Sequence, residues 1–380
     1  MSKKAVCISC FHYYDHRIRL IEQFLHSRNY DCTYIISDFS HIEKKSFHTD
    51  LENCIQIPTK PYEKNLSLAR LRSHADFAQK AFEKVEELNP DFLFVMVPPN
   101  SMAEEARKYK KKHPQVKLVL DLYDLWPETF PSSKAKTLLA FPFAVWRQVR
   151  DAGLSAADLI TLECELYRER LAKQLEGKKT GILYLCRPEK NVENPKAPEG
   201  EALSLCYLGS INNIIDIPLI AELIREITVR RPVTLHIIGD GESRERFVQS
   251  VEETGASVRF HGKIYDAKEK QAIFDCCHFG INVMKESVCV GLTMKSLDYF
   301  AGGLPILNTI EADTHRLVEE HEIGVNVCRG NLAKTAQRVA AMTAAENLKM
   351  RKNTLEVFDT LFSEQVFMGS LEKELGGLLG

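Results

Sequence analysis

The feature that most constrains this chain is the alternation of short apolar runs with longer amphipathic stretches. The runs are nearly continuous rather than alternating, which is typical of parallel strands buried on both faces. Amphipathic stretches such as Ile18–Arg28 and Ser67–Leu88 lie between them and predict helices. The pattern therefore predicts a doubly wound α/β fold. The predicted strands of the first half are Ala5–Cys10, Cys32–Ser37, Cys54–Ile57, Phe92–Val97, Leu118–Leu122, Leu159–Leu162 and Ile182–Cys186.

One interruption divides this pattern. Residues 188–201 read PEKNVENPKAPEGE, a stretch rich in Pro, Glu, Lys and Asn without periodicity. Such a composition is typical of a linker. The alternation of strands and helices then begins again, so we predict a first domain over residues 1–188, a linker over 189–201 and a second α/β domain over 202–354.

Length and composition agree with two domains and exclude some functions. A chain of 380 residues, 44% apolar, is too long for one ordinary core and fits two domains of about 150–200 residues each. A net charge of −2 argues against bulk nucleic-acid binding. The 11 cysteines are scattered without a disulfide framework, and no secretory leader is expected, which indicates a reducing cytoplasm. Cys7 and Cys10 form a CxxC, but on a predicted strand they point to opposite faces and are expected to pack as apolar side chains. No run approaches the ~20 apolar residues of a membrane span.

The segment 290–308, VGLTMKSLDYFAGGLPILN, predicts a loop, one short helix, a turn and a strand. Lys295 and Asp298 are three residues apart and share one side of that helix. A cation and a carboxylate beside a helix N-terminus suit a nucleotide diphosphate. The N–H groups and Lys295 would bind phosphates, and Asp298 would accept from ribose hydroxyls. A surface ion pair is the alternative.

The same segment resembles the donor-site signature of retaining glycosyltransferases of family 4. The resemblance implies the GT-B architecture, two Rossmann-like domains facing across a cleft, with a last helix at about 355–375 that returns to the first domain. It implies that main-chain N–H groups of Gly291, Leu292 and Thr293 touch the diphosphate. The family often has a second acid where this sequence has Val290.

Further donor contacts are expected in three other loops of the second domain. Relatives place Arg and Lys in the loop after the first strand, where this chain has Gly209, Ser210, Asn212 and Asn213. These residues, with a helix N-terminus, are expected to approach the phosphates. The resemblance also implies that backbone at Lys263 and Ile264 contacts the base. Lys285 could supply additional positive charge.

Residues 121–128, DLYDLWPE, give the strongest signal in the first half. Buried carboxylates at a strand end are costly without a role. The segment resembles the (His)-Asp-x-Trp-Pro-Glu motif of family 4 enzymes that build bacterial surface polysaccharides. By this resemblance we expect Asp124 to bind a sugar hydroxyl and to act in catalysis. Trp126 is expected on the acceptor side, and Glu128 is expected either there or in a structural role. Tyr123 stands where relatives have His, and its phenol is expected to hydrogen-bond to the sugar or acceptor in place of that His.

The loop after the first predicted strand contains His12, Asp15 and Arg17. Ligands of open α/β sheets meet the carboxyl ends of strands, and this loop lies there. It is similar to an Asp-x-Arg pattern of family 4, which implies that the three residues face the acceptor or sugar. His12 is a candidate general base. The alternative for Asp15 is a helix cap.

The segment Lys134–Arg150 interleaves bulky apolar side chains with Lys and Arg. One interpretation is a patch that lies peripherally on the anionic inner membrane. The other is an ordinary helix pair that covers the sheet.

Together these features predict a glycosyltransferase that moves a sugar from a nucleotide-diphospho-sugar, UDP-sugar being favoured, to a glycan or lipid-linked acceptor in the cytoplasm. Lys295 would stabilise the leaving diphosphate. The resemblance implies retention, no metal or other cofactor, and a role in capsule or other surface polysaccharide. Two alternatives are a nucleotide-sugar epimerase of the same architecture and a non-catalytic partner subunit of a transferase.

Overall fold

The computed structural model describes residues 2–130 and 140–379, and the chain divides into two units. The first unit contains the described residues of Met1–Tyr184 and Phe367–Gly380, and the second is Leu185–Val366. Each unit has one parallel sheet with helices, so the predicted α/β fold with two Rossmann-like domains is confirmed. Residues 189–201, the predicted linker, lie in the second unit without helix or strand.

The first sheet has seven parallel strands in the order β5-β2-β1-β6-β7-β8-β9. A short antiparallel ladder, β3 with β4, lies outside it. The strands are β1 (Lys3–Ser9), β2 (Tyr30–Ser37), β3 (Phe39–Ser40), β4 (Lys45–Ser46), β5 (Cys54–Ile57), β6 (Phe92–Val97), β7 (Lys117–Leu122), β8 (Leu159–Leu162) and β9 (Thr180–Ile182). The helices between them are α1 (Asp15–Ser27), α2 (Leu68–Leu88), α3 (Asn100–Lys112), α4 (Ala140–Leu154) and α5 (Glu165–Arg170).

The second sheet has six parallel strands in the order β12-β11-β10-β13-β14-β15. They are β10 (Leu203–Leu208), β11 (Val233–Ile238), β12 (Ser257–Gly262), β13 (Phe279–Asn282), β14 (Ile306–Asn308) and β15 (Gly324–Asn326). The remaining helices are α6 (Ile217–Thr228), α7 (Arg244–Glu252), α8 (Ala267–Asp275), α9 (Met294–Ala301), α10 (Asp313–His321), α11 (Leu332–Ala340), α12 (Ala344–Val357) and α13 (Glu364–Leu379).

The apolar runs form the strands of both sheets, and the bounds of one edge strand differ from the prediction. All six residues of β6 are buried, as expected for a strand covered on both faces. The predicted strand Ile182–Cys186 is wrong at its carboxyl end, because β9 ends at Ile182. The neighbouring strand β8 ends at Leu162, whose carbonyl accepts from the Leu183 N–H. Beyond that bond the edge strand has no ladder partner.

The last helix, α13, packs within the first unit from Phe367 onward. Leu371 and Leu375 are buried, and Glu372 pairs with Arg28, the residue directly after α1. A π-helical turn over Phe358–Phe362 precedes it. Among the described residues, no helix is long and apolar enough to cross a membrane.

Candidate functional site

Two glycine loops meet at the carboxyl end of the second sheet. Gly209 follows β10 with a φ of 116°, and Gly239 follows β11 with a φ of 141°, both in the region that favours glycine. A β-carbon at Gly239 would lie 2.0 Å from the carbonyl oxygen of Gly209. The two loops therefore contact each other backbone to backbone, whereas a β-carbon at Gly209 itself would meet nothing within 4 Å.

Helix α9 begins beside these loops and is fixed from both ends. The Thr293 hydroxyl accepts from the Ser296 N–H at 3.2 Å and donates to Asn282 at 2.9 Å. The Tyr299 hydroxyl donates to the Cys206 carbonyl and accepts from the Leu208 N–H. The first N–H groups of a helix have no internal acceptor, and the Thr293 cap satisfies only one of them. The first turn of α9 therefore presents free main-chain N–H groups at the carboxyl end of β10, and the hydrogen bonds of Thr293 and Tyr299 fix its position.

Lys295, in the first turn of α9, is a cation without a counter-charge. Its Nζ lies 4.5 Å from the centroid of the Tyr207 ring, and the Tyr207 hydroxyl donates to the Ser210 carbonyl at 2.7 Å. In the described part of the chain no carboxylate pairs with it. Burial lowers the pKa of Lys295 to about 8. An arriving anion would supply the missing charge.

Asp298 lies three residues further along α9 and has a partner that the sequence did not reveal. Arg187 Nε donates to Asp298 Oδ1 at 2.9 Å, and its Nη2 donates to the Met294 carbonyl. Asp298 Oδ2 has no hydrogen-bond partner among the described residues. One carboxylate oxygen is therefore free for a ligand. No sequence signal links these two residues, which are 111 positions apart.

The other predicted donor residues lie in loops of the same unit. Lys285 is exposed, and its Nζ donates to the Asn213 carbonyl, which ties the loop after β10 to the end of β13. Asn212 accepts from the Ile214 N–H and so shapes its own loop. Lys263 is exposed and Ile264 half-buried after β12. Their contact with a base stays a prediction. Gly291 and Leu292 are buried, and the Gly291 carbonyl accepts from Thr314.

In the first unit, Arg17 forms a buried ion pair. Its guanidinium donates to both oxygens of Asp121 at 2.9 and 2.8 Å, and Thr161 also donates to this carboxylate. Arg17 is 3% exposed and Asp121 is fully buried. The expectation that Arg17 binds the acceptor is therefore corrected, because its guanidinium N–H groups are engaged by the buried Asp121 carboxylate.

Two further residues of the 121–128 segment form hydrogen bonds within the first unit. The Tyr123 hydroxyl donates to the Pro98 carbonyl at 2.7 Å, and the side chain is 2% exposed. Glu128 accepts two bonds from Arg150, whose side chain is fully buried. The expected ligand role of Tyr123 is corrected to a structural one. Of the two roles expected for Glu128, its pair with Arg150 supports the structural one.

Asp124 and Trp126 remain available. Asp124 is half-buried, and its Oδ1 accepts from the Leu125 N–H and the Thr129 hydroxyl. Burial raises the pKa of this carboxyl. Trp126 is also half-buried. Its side chain is a third donor to this carboxylate. Two carboxylate oxygens accept about four hydrogen bonds, so a half-buried Asp124 with three donors can still accept from a sugar hydroxyl.

His12 and Asp15 lie in the loop after β1. The His12 ring packs 4.5 Å from the Phe47 ring, and its buried Nδ1 has no hydrogen-bond partner. Asp15 is the first residue of α1 but does not cap it: it accepts from the Tyr34 hydroxyl at 3.2 Å. Burial raises the pKa of Asp15. The buried Nδ1 of His12 is therefore a polar atom that the described fold leaves unsatisfied.

The predicted membrane segment Lys134–Arg150 lies partly outside the described residues, since 131–139 are not described. In the described part, Phe141 is 80% exposed, whereas Phe143 is buried. Arg150, counted among the surface cations of that segment, is buried in its pair with Glu128, so this part of the prediction is wrong.

The comparisons with known proteins agree on the fold. The chain is similar to sucrose-phosphate synthase from Thermosynechococcus elongatus (TM-score 0.70, 14% identity, 99% of this chain and 100% of that one). It is also similar to the lipopolysaccharide outer core galactosyltransferase WaaB (0.67, 14%, 99% of both chains). A third match is Anabaena HepE, solved in complex with UDP and glucose (0.65, 14%, 99% and 100%). These likenesses confirm the expected GT-B fold class.

The match to a protein-family model covers residues of the second unit only. Residues 202–344 match the family model described as glycosyl transferases group 1. This range contains the Gly209 loop, Lys295 and Asp298. No curated protein matches the sequence.

Proposed function

We propose that this chain, a glycosyltransferase by its group 1 domain at residues 202–344, transfers a sugar from a nucleotide-diphospho-sugar held in its second unit. The observation that carries the proposal is Lys295, a half-buried cation without a carboxylate partner in the described chain, in the first turn of α9. A helix N-terminus and an unpaired ammonium group form an anion site. The neighbouring Asp298 oxygen suits a ribose hydroxyl.

The proposed chemistry follows from these charges. The bond between the anomeric carbon and the diphosphate oxygen breaks, and a bond to an acceptor oxygen forms. Negative charge grows on the departing diphosphate, where Lys295 and the N–H groups at the start of α9 stabilise it. The proton of the acceptor hydroxyl passes to a phosphate oxygen of the leaving group. Donors placed where charge develops lower the barrier without taking part in bond formation.

In the first unit we propose Asp124 as the ligand of a sugar hydroxyl, with His12 and Asp15 on the acceptor side. The support is the half-buried Asp124 carboxylate, which Leu125, Thr129 and Trp126 hold in place, and the buried Nδ1 of His12, which has no hydrogen-bond partner. Asp124→Asn should lower the turnover while leaving the affinity for UDP unchanged. Full turnover in that variant would remove Asp124 from the reaction.

The finer features of the donor and acceptor are part of the proposal. UDP as the nucleotide is supported by the complex of HepE with UDP and glucose. A bacterial surface glycan as the product is supported by the likeness to a lipopolysaccharide galactosyltransferase. Retention of configuration and independence from metal follow the resemblance to family 4. Activity in the presence of EDTA would support metal independence, and its loss would contradict it.

One experiment separates the proposal from its alternatives. The protein is titrated with UDP in a calorimeter and then incubated with radiolabelled UDP-sugars without acceptor. A transferase should bind UDP and slowly hydrolyse one of the donors. Interconversion of the sugar without hydrolysis would indicate an epimerase, and absence of nucleotide binding would indicate a non-catalytic partner subunit.

We also propose a peripheral contact with anionic membrane through α4. The support is Phe141, which projects into solvent with exposed Val145 and Arg147 on the same helix. An exposed aromatic beside a cation is favourable at a lipid interface. Phe141→Ser should reduce binding to anionic liposomes, and unchanged binding would contradict the contact. Buried Phe143 is not a suitable probe, because its replacement would disturb packing.

A further inference from the structure

Arg70 is a buried guanidinium without a counter-charge in the first unit. It lies in the first turn of α2 and is 5% exposed. Its Nη1 donates to the Asn65 carbonyl at 2.9 Å, and the guanidinium carbon lies 5.1 Å from the Trp126 ring centroid. Its Nε is buried and has no hydrogen-bond partner. Within residues 2–130 and 140–379, no carboxylate forms an ion pair with it.

A second cation is attached to the same loop residue. Lys44 Nζ donates to the side-chain oxygen of Asn65 and lies 4.7 Å from the Tyr62 ring centroid. The pKa of Lys44 is lowered, first by burial and then by the charge of Arg70. Lys44 has no carboxylate partner in the described chain either. Asn65 thus brings two unpaired cations together.

Neutral aromatic groups complete the cluster. The Tyr62 hydroxyl lies 2.5 Å from His41 Nδ1 and 3.3 Å from His74 Nε2. Burial, followed by the charges of Arg70 and Lys44, lowers the pKa of His41 to about 3. His74 is shifted in the same direction by the same causes, and its buried Nδ1 has no partner. Both imidazoles are therefore neutral near pH 7 and can accept or donate one hydrogen bond.

The positive charges of Arg70 and Lys44 are not neutralised by carboxylates of the described chain. Asp124 is close enough for Arg70 to lower its pKa against the larger effect of burial, but the two form no ion pair. A buried charge without a partner is costly, whereas removal of Arg17 and Arg150 from water is compensated by carboxylates. A bound anion would satisfy Arg70 Nε, Lys44 and the free nitrogen of His74.

We propose that Arg70 and Lys44 bind a phosphoryl group of the acceptor, with Tyr62, His41 and His74 as the surrounding polar wall. The proposal rests on the glycosyltransferase function proposed above and adds the chemical class of the acceptor. Two cations match a dianionic phosphate or a diphosphate better than a single carboxylate. A guanidinium with free N–H groups recognises phosphate oxygens through directed bonds, and a lysine adds a point charge.

The test measures this site separately from the donor site. The protein is first saturated with UDP, so that the donor site is filled, and is then titrated with pyrophosphate by calorimetry. Arg70→Gln should weaken pyrophosphate binding about tenfold or more, since a charge-assisted hydrogen bond is lost. Lys44→Gln should weaken it less. The affinity for UDP should stay unchanged in both variants.

Two matched variants serve as controls. Arg72 lies two residues beyond Arg70 on the exposed side of α2, and Lys45 follows Lys44 but pairs with Glu43 in solvent. Arg72→Gln and Lys45→Gln should bind pyrophosphate like the wild-type protein. If Arg70→Gln does not fold, Arg70→Lys and Lys44→Gln still test the site.

The outcomes distinguish the acceptor class from the transferase function. UDP binding without pyrophosphate binding, or pyrophosphate binding that Arg70→Gln and Lys44→Gln leave intact, would overturn the phosphoryl site alone. Displacement of pyrophosphate by glucuronate at equal concentration would also overturn it in favour of a carboxylate. Competition with bound pyrophosphate then identifies the molecule that carries the phosphoryl group. A soluble sugar phosphate and a prenyl diphosphate in micelles are compared, and the one that displaces pyrophosphate at the lower concentration represents the acceptor class.

Discussion

Two regions of the molecule, the carboxyl end of β7 in the first unit and the start of α9 in the second, treat their cations in opposite ways. In the first unit, Arg17 and Arg150 are buried against carboxylates of the most conspicuous motif in the sequence, residues 121–128. In the second unit, Lys295 lies at the end of a strand over a tyrosine ring, without a carboxylate among the described residues. An acidic residue in a sequence motif can therefore serve in a structural ion pair rather than in ligand binding. A cation left without a partner is the stronger indication of a ligand site.

The largest effect expected from this difference is on stability. Arg17→Met leaves Asp121 buried without its partner and should lower the free energy of unfolding by about 3–5 kcal/mol. Denaturant titration measures this loss. Arg19→Met, an exposed neighbour on the same helix, should change stability by less than about 0.5 kcal/mol. A loss below about 1 kcal/mol for Arg17→Met would contradict a structural role for the pair.

The next effect concerns the carboxylate of the second unit. Asp298→Ala should weaken UDP binding by about 1.5–3 kcal/mol, because a charged hydrogen bond to ribose is lost. Asp298→Asn keeps an acceptor oxygen and should lose less. Calorimetry with UDP provides the measurement. If both variants bind UDP like the wild-type protein, Asp298 serves only its pair with Arg187.

The smallest effect returns to the first unit. Tyr123→Phe removes the hydroxyl that donates to the Pro98 carbonyl and should cost about 1 kcal/mol of stability. Turnover should stay within twofold, because the hydroxyl is committed to the backbone. Strongly reduced turnover at unchanged stability would restore the ligand role that the sequence suggested for this position.

The sequence was sufficient for the fold and for part of the site. Continuous apolar runs predicted the parallel strands, and the spacing of Lys295 and Asp298 placed both on one helix. Pairs such as Arg187 with Asp298 depend on tertiary contacts between distant segments, so no local pattern encodes them. Arg70 had a usable signal: it precedes Ser73, His74 and Phe77 on the buried face of α2, where a charge is unexpected.

The most direct test of the donor site is the pH dependence of UDP binding. The free amine of Lys295 has a pKa of about 8, and a bound diphosphate would raise it. Between pH 7 and pH 8, where the terminal phosphate of UDP is already ionised, the affinity should be constant. Above pH 8, binding requires proton uptake, so the dissociation constant should rise about tenfold per pH unit. Lys295→Met should bind UDP weakly and without this dependence, and Lys268→Met, on the surface helix α8, should behave like wild type. A dissociation constant that is flat from pH 7 to pH 10, or unchanged by Lys295→Met, would contradict a diphosphate at this lysine.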